Sequence, residues 1–416
     1  MAGSTKEGLT RNVDWYPIYQ LIRNAYFRLP VFFLYFSQEM SLRDVLLVGG
    51  IYYSAVVLLE VPSGWFSDRF GRRLTMILAS MSMLAAYVVF CFADGLMTFT
   101  IAQVLIALGF SFHSGTDTAF HYDSLAGLGR EAEYADREAR ASRNSFLGGA
   151  VAAVIGGGLG VLDLRLPYIA SALTTFILVV MAFCFVEPPH KKGEEKASIN
   201  FLTQMRHTVS YLKIPFLSMT FLYFILMTII NHIPYEYYQP YIKFALEDFS
   251  WASRQTPFVS GLHTTGTLLV ATYFAARSIR IRNAIGIWPT LLLASLLQGL
   301  IIGLMGFILS PIVVLICLGR SAPRALMTAP LNAAITGRVS KAHRATFLSF
   351  QSLAGRLSFA AVLFYLSSLS PHGREVDWPL VSMQVQVGFW IAVVGIAGLV
   401  LVCMVRRDGT GSPDEA

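Results

Sequence analysis

His113, Asp117 and His121 stand four residues apart in HSGTDTAFHYDSL, residues 113–125, at the end of a long apolar segment. On a continuous helix that spacing places all three on one stripe. Facing lipid they would cost on the order of several kcal/mol, so the stripe is expected to face the protein interior. Three chemistries fit these residue types. Asp117 can pair with an interior arginine while the histidines hydrogen-bond to neighbouring helices, which is how buried charges survive. Alternatively, a carboxylate beside histidines in a low dielectric can exchange a proton near working pH, so that Asp117, helped by His113 or His121, carries a coupling proton. The third is zinc-type ligation by His-x3-Asp-x3-His. It lacks an evident fourth ligand and has arginines for neighbours, so neither a metal nor a cofactor is expected.

Five arginines also fall inside apolar stretches: Arg23, Arg28, Arg320, Arg324 and Arg356. Arg320 and Arg324, four apart, are expected to share one helix face. PYEYYQPY, residues 234–241, reads as a tyrosine belt at a membrane interface with Glu236 beneath it. No nucleophile stands with a base and an orienting group in a recognisable order, which argues against an enzyme.

The elements that must hold these groups are membrane spans. In 416 residues, 55% are hydrophobic and only 14% charged, a composition typical of membrane proteins. A spanning helix needs about 20 mostly apolar residues. Such windows occur at 17–38, 43–65, 73–93, 97–121, 145–162, 166–186, 214–238, 255–276, 284–307, 309–332, 345–369 and 380–405. The polar first 14 residues lack a secretory signal and are expected to be retained. With both termini placed in the cytoplasm, 22 Lys and Arg fall on that side and five on the other. This positive-inside bias explains the net charge of +7 without a nucleic-acid partner. Cys91, Cys184, Cys317 and Cys403 lie in apolar segments and read as small hydrophobes.

PPHKKGEEKASIN, residues 188–200, is the longest polar interruption and continues towards a short surface helix expected near 199–210. The layout is therefore a six-helix half at 1–187, a cytoplasmic linker at 188–213, a second half at 214–405 and a tail at 406–416. RASRNSF at 140–146 matches RATFLSF at 344–350, and at the same offset of 204 Pro30 faces Pro234. Both matches point to duplication, and both prolines are expected to mark bends. GGAVAAVIGGGLG, residues 148–160, is a stretch for close helix packing. Residues 122–142 read as a solvated connector of mixed charge.

GWFSDRFGRRLTMI, residues 64–77, places Gly64, Asp68, Arg69, Gly71, Arg72 and Arg73 in a long spaced pattern that resembles the signature loop of the major facilitator superfamily. The glycines suit a tight turn and close helix approach, Asp68 can accept from an arginine or a helix end, and the basic residues remain in the cytoplasm. Together they read as a latch that holds one conformation. The corresponding second-half loop, ARSIRIRNA at 276–284, lacks both the acid and the glycine. The resemblance implies an all-α fold of twelve spans in two pseudo-symmetric halves, with helices 1, 4, 7 and 10 lining a central cavity. Arg28, Asp117, His232, Glu236 and Arg320 then become cavity residues, with Arg324 and Arg356 beside them. Where many proton-coupled drug exporters of the family carry an arginine, this chain has Gln103.

The expected function is secondary transport of a small organic solute, anionic or zwitterionic, by alternating access in the cytoplasmic membrane. Because there is no G-x-x-x-x-G-K-[ST] loop, protons are the simple driver. The expected surroundings are lipid, and the expected state is a monomer. Drug efflux by proton antiport is the rival, and a non-transporting receptor is the alternative from another class.

Overall fold

The computed structural model describes residues 2–189, 208–340, 343–373 and 375–409. Most of the linker expected at 188–213 lies outside the described residues. So do the greater part of the helix expected near 199–210, the end of the tail, and Lys191, Lys192, Lys196, Arg206, Lys341 and Arg374. Among the described residues every regular element is helical. Ten helices among the described residues are long and apolar enough to cross a membrane.

The chain forms two compact units, one of Met1–Ala197, Leu246–Thr265 and Ala360–Val376, the other of Ser198–Ala245, Gly266–Phe359 and Asp377–Ala416. The expected halves run consecutively, whereas here two short segments of the second half, Leu246–Thr265 and Ala360–Val376, group with the first unit.

The first unit opens with α1, Ala2–Arg23. Leu9, Asn12, Val13, Tyr16, Tyr19 and Gln20 are buried along one stripe of this helix, at spacings of three and four residues. The expected span at 17–38 is interrupted. Residues 24–31 form consecutive turns around Pro30, and the helix resumes as α2, Phe32–Glu39. Next comes α3, Leu42–Phe70, capped by Ser41, whose hydroxyl accepts from the Asp44 amide. It is followed by α4, Arg72–Cys91, and α5, Leu96–His113. Ser114 and Gly115 break the chain before α6, Thr116–Gly127. The unit continues with α7, Tyr134–Leu162, and α8, Leu166–Cys184.

Within this unit α4 packs on α5 and α8, α3 on α5, and α1 on α7. The last contact is backbone to backbone. An added Cβ at Gly148 or Gly156 of α7 would collide with the carbonyl oxygens of Leu21 and Phe27. Glycines here let α7 approach the interrupted first helix. Tyr16, Tyr19, Met76, Phe120, Leu178 and Phe185 form a core cluster beside this contact.

The second unit is built on α9, Pro215–Ala245, in which Pro234 and Pro240 lie inside one continuous helix. The bend expected at Pro234 is therefore not a break. The next two helices, a short α10, Ser250–Arg254, and α11, Thr256–Ile285, belong to the first unit as far as Thr265 and to the second from Gly266. The apolar character of α11 is diluted by His263, Thr264, Thr265 and Thr267. Then come α12, Ile287–Phe307, α13, Pro311–Ile316, and α14, Ala322–Thr336. The chain ends in α15, Arg344–Leu369, which belongs to the first unit from Ala360 onward, and α16, Trp378–Gly409, in the second. Phe92, Met97, Leu162, Leu173 and Ile312 are among the large exposed apolar side chains, as expected of a surface in contact with lipid.

Candidate functional site

The acid and histidine group is assembled by α1, not by one stripe of a single helix. Gly115, with φ +75°, ends the helical run. His113 thus closes α5, while Asp117 and His121 ride on α6. All three are nonetheless buried against the stripe of α1 that carries Tyr16, Tyr19, Gln20 and Arg23.

Asp117 is held on both oxygens. Its Oδ2 lies 2.9 Å from Arg23 Nη1 and accepts from Gln20 Nε2 at 2.7 Å. Its Oδ1 accepts from the Thr118 amide at 2.9 Å. Gln20 Nε2 also donates to the Tyr16 hydroxyl at 2.7 Å, and Asn24 Nδ2 reaches Ser145 Oγ on α7 at 3.1 Å. His113 Nδ1 lies 3.5 Å from the Tyr19 hydroxyl. His121 Nδ1 lies 2.9 Å from Glu138 Oε2 on α7, and its ring stacks on Tyr16 at 4.0 Å between centroids. Nε2 of each histidine is buried with no hydrogen-bond partner among the described residues. The cation paired with Asp117 is the Arg23 guanidinium. No group of His, Cys, Asp and Glu among the described residues is arranged to hold a metal ion. Arg23 is the partner that sequence reasoning left unassigned. Its signal was the register of Tyr16, Gln20 and Arg23 on one helix face.

The signature loop forms the second constellation. Gly71 has φ +103° and separates α3 from α4. Asp68 pairs with Arg72 at 2.7 Å, and Arg72 also reaches Ser67 at 2.9 Å and Asp123 at 3.5 Å. The helix end is capped by a different acid, Glu187. Its two carboxylate oxygens accept from the amides of Arg72 and Arg73 at 2.7 and 2.8 Å. Arg73 donates to the Phe183 carbonyl at 2.9 Å, and the Arg69 guanidinium lies over Trp65 at 5.5 Å. Gly64 has open space where a side chain would stand, so it serves no close approach in this arrangement. The second-half loop has not lost its glycine. Gly286, φ +88°, separates α11 from α12 just beyond the expected window. The Thr290 hydroxyl donates to its carbonyl at 2.7 Å, as the Thr75 hydroxyl does to Gly71 at 2.7 Å.

The third constellation lies in the second unit. Arg320 does not share a helix face with Arg324. The expected span at 309–332 is interrupted by a 3₁₀ turn at Cys317–Gly319, with Arg320 just after it and α14 starting at Ala322. Arg320 is buried, whereas Arg324 is exposed. Arg320 Nη1 donates to the Thr267 hydroxyl, and its guanidinium lies 4.1 Å from the centre of the Tyr238 ring. The tyrosines around Glu236 are core residues, not an interfacial belt. Tyr237, Tyr238 and Tyr241 are buried. Tyr237 donates to Gln384 at 3.1 Å and Tyr241 to the Ile308 carbonyl at 2.6 Å. His232 Nδ1 lies 2.6 Å from the Thr228 carbonyl, within the electrostatic reach of Arg324 and Arg356. Arg28 lies in the first unit, in the turns that interrupt the first helix.

Comparison with known proteins agrees with this architecture. A profile of the Major Facilitator Superfamily matches residues 21–363. An uncharacterized MFS-type transporter of Bacillus subtilis (strain 168), YxaM, is 23% identical over 272 residues, or 64% of this chain and 65% of that relative, just under two thirds of its length. Among solved structures, a single-site variant of the nucleoside transporter NupG superposes with a TM-score of 0.79 at 12% identity, covering 96% of this chain and 99% of that one. An autoinhibited POT family peptide transporter gives 0.72 at 11% identity, covering 99% and 98%. A D-xylose-proton symporter gives 0.66 at 13%, covering 95% and 96%. These likenesses establish a common fold of twelve membrane helices in two halves. The chain is a multi-pass membrane protein that belongs to the Major Facilitator Superfamily of transporters.

Proposed function

We propose that the chain is a secondary active transporter of the cytoplasmic membrane that moves a small anionic or zwitterionic organic solute by alternating access. In this reading Arg320 binds the negative part of the solute and Asp117 carries a coupling proton. Both termini lie in the cytoplasm, in keeping with the excess of Lys and Arg expected on that side, and the working unit is a monomer. The observation that carries the reading is the setting of Arg320, a buried guanidinium at a helix interruption, set over the Tyr238 ring and bonded to Thr267. Interrupted helices are where membrane transporters place solute sites, because freed backbone groups and ionisable side chains share one polar locus. The planar fork of arginine matches carboxylate and phosphate geometry. The structural relatives are described as transporters of nucleosides, peptides and D-xylose. The fold alone therefore selects no solute, and the anionic reading is supported by the local chemistry of Arg320.

The test is a ligand-dependent thermal-shift scan of the purified protein across organic anions, zwitterions and hydrophobic cations, beside Arg320→Ala. A ligand that binds the native state raises the transition temperature by mass action. Stabilisation by an anion or zwitterion, lost in Arg320→Ala, is the expected result. Stabilisation by hydrophobic cations that persists in the variant would overturn it in favour of drug efflux.

A further inference from the structure

We propose that Glu138 and His121 form the route by which a proton passes between solvent and Asp117. This rests on the reading of Asp117 as the coupling site and adds a path and a port to it. Three observations meet here. The route runs from a part-exposed carboxylate to two buried groups: the Glu138 side chain is 25% exposed, that of His121 is fully buried, and that of Asp117 is 6% exposed. Glu138 Oε2 and His121 Nδ1 are in hydrogen-bond contact at 2.9 Å. The far nitrogen of the same ring, Nε2, is buried without a partner among the described residues. Asp117 is one helical turn away on α6, a separation of about 5–6 Å between Cβ atoms. A single water bridges such a gap when polar groups line it.

The charges around the ring favour passage over permanent pairing. From α1, Tyr16 presents the flat face of its ring. From α7, Glu138 is the carboxylate in contact and Tyr134 the nearby ring, at 5.7 Å between centroids. Arg137, beside Glu138 in sequence, is turned towards Asp14 and Glu133. On α6 itself Asp123 is turned towards Arg72 of α4, which leaves Asp117 as the acceptor one turn along. A proton taken from solvent by Glu138 passes to Nδ1 of the neutral ring. The proton on Nε2 then leaves for Asp117, and Arg23 loses its counter-charge. The ring is left with its proton on Nδ1; the reverse order, Asp117 to Nε2 and Nδ1 to Glu138, returns the proton to solvent and restores the starting tautomer.

The test uses the full chain in lipid nanodiscs and needs no transported solute. After a rapid drop in pH, the carbonyl stretch of protonated Asp117 is followed by time-resolved infrared spectroscopy and assigned by its disappearance in Asp117→Asn. His121→Gln and Glu138→Gln are each expected to slow the rise of this band about a hundredfold, the lower range of proton-transfer effects, while Glu138→Asp restores most of the rate. An Asp117 band that rises at the wild-type rate in both variants would overturn the route while leaving Asp117 as the coupling site. If no wild-type band is lost in Asp117→Asn, the coupling reading falls and the route with it.

Discussion

Replacing Asp117 with asparagine keeps the side-chain shape and one accepting oxygen, but removes the charge and turns the other acceptor into an NH2 donor. Arg23 is then a buried ion without its carboxylate, since the two lie 2.9 Å apart with side-chain exposures of 15% and 6%. Breaking a buried pair on one side costs about 3–5 kcal/mol. Arg23 retains Gln20 Oε1 at 3.4 Å and some solvent access, which places the expected loss near the lower bound, about 3 kcal/mol. Arg23→Gln strands the carboxylate and is expected to cost a similar amount. The double variant strands neither ion. It should be destabilised by about 3 kcal/mol in place of the 6 that independent effects would add to, a coupling of about 3 kcal/mol. Equilibrium unfolding of the four proteins in mixed micelles reads this directly. Losses that add to within about 0.5 kcal/mol would refute the pair as an energetic unit and the membrane-buried network built on it.

Two further substitutions test the backbone contacts. Gly156→Ala places a methyl against the Phe27 carbonyl while Gly158→Ala meets open space, so the first is expected to lose about 1–3 kcal/mol by overpacking and the second almost nothing, as read by thermal unfolding. Glu187→Gln leaves one amide oxygen for the two amides of Arg72 and Arg73; it is expected to cost about 0.5–2 kcal/mol and to raise hydrogen exchange in the first turn of α4. Gly71→Ala should cost at least as much, because φ +103° is strained for alanine and its Cβ would lie 2.8 Å from the Glu187 carboxylate.

Asp117 and Arg320 were legible as buried charges because burying a charge is costly and few spans carry one, whereas Arg324, expected beside Arg320, is exposed. The partners were not. His113, Asp117 and His121 look like one stripe only if the helix is continuous, and Gly115 breaks it at a position where glycine is equally at home inside a membrane helix. Pro234 shows the converse, a breaker by type that sits inside an unbroken helix. Arg23 was visible as an intramembrane arginine. Its pairing with Asp117 depends on how α1 is rotated, which one apolar window does not determine. The tyrosines of 235–241 match an interfacial belt in composition, and only the packing of the second unit separates belt from core. Gly286 lay just outside the loop window because the equivalent turn in the second half is displaced along the sequence.

Three interruptions carry ionisable groups, although His232, Glu236 and Arg356 lie within continuous helices: residues 24–31 with Arg28, Ser114–Gly115 between His113 and Asp117, and the 3₁₀ turn before Arg320. The coincidence has a physical cause that is clearest at Asp117. A helix that restarts at Thr116 exposes amides at its first turn. Asp117 stands in that turn and takes the Thr118 amide on Oδ1, where the positive end of α6 suits a carboxylate. Had α5 and α6 been one helix, those amides would be spent on α5 carbonyls, and Asp117 would have only side chains for support. The break therefore both satisfies the acid and ties it to the start of α6. A proton added to Asp117 would weaken its hold on Arg23 of α1 and on the first turn of α6 together, so that a change of charge at one oxygen becomes a change in how two helices are held.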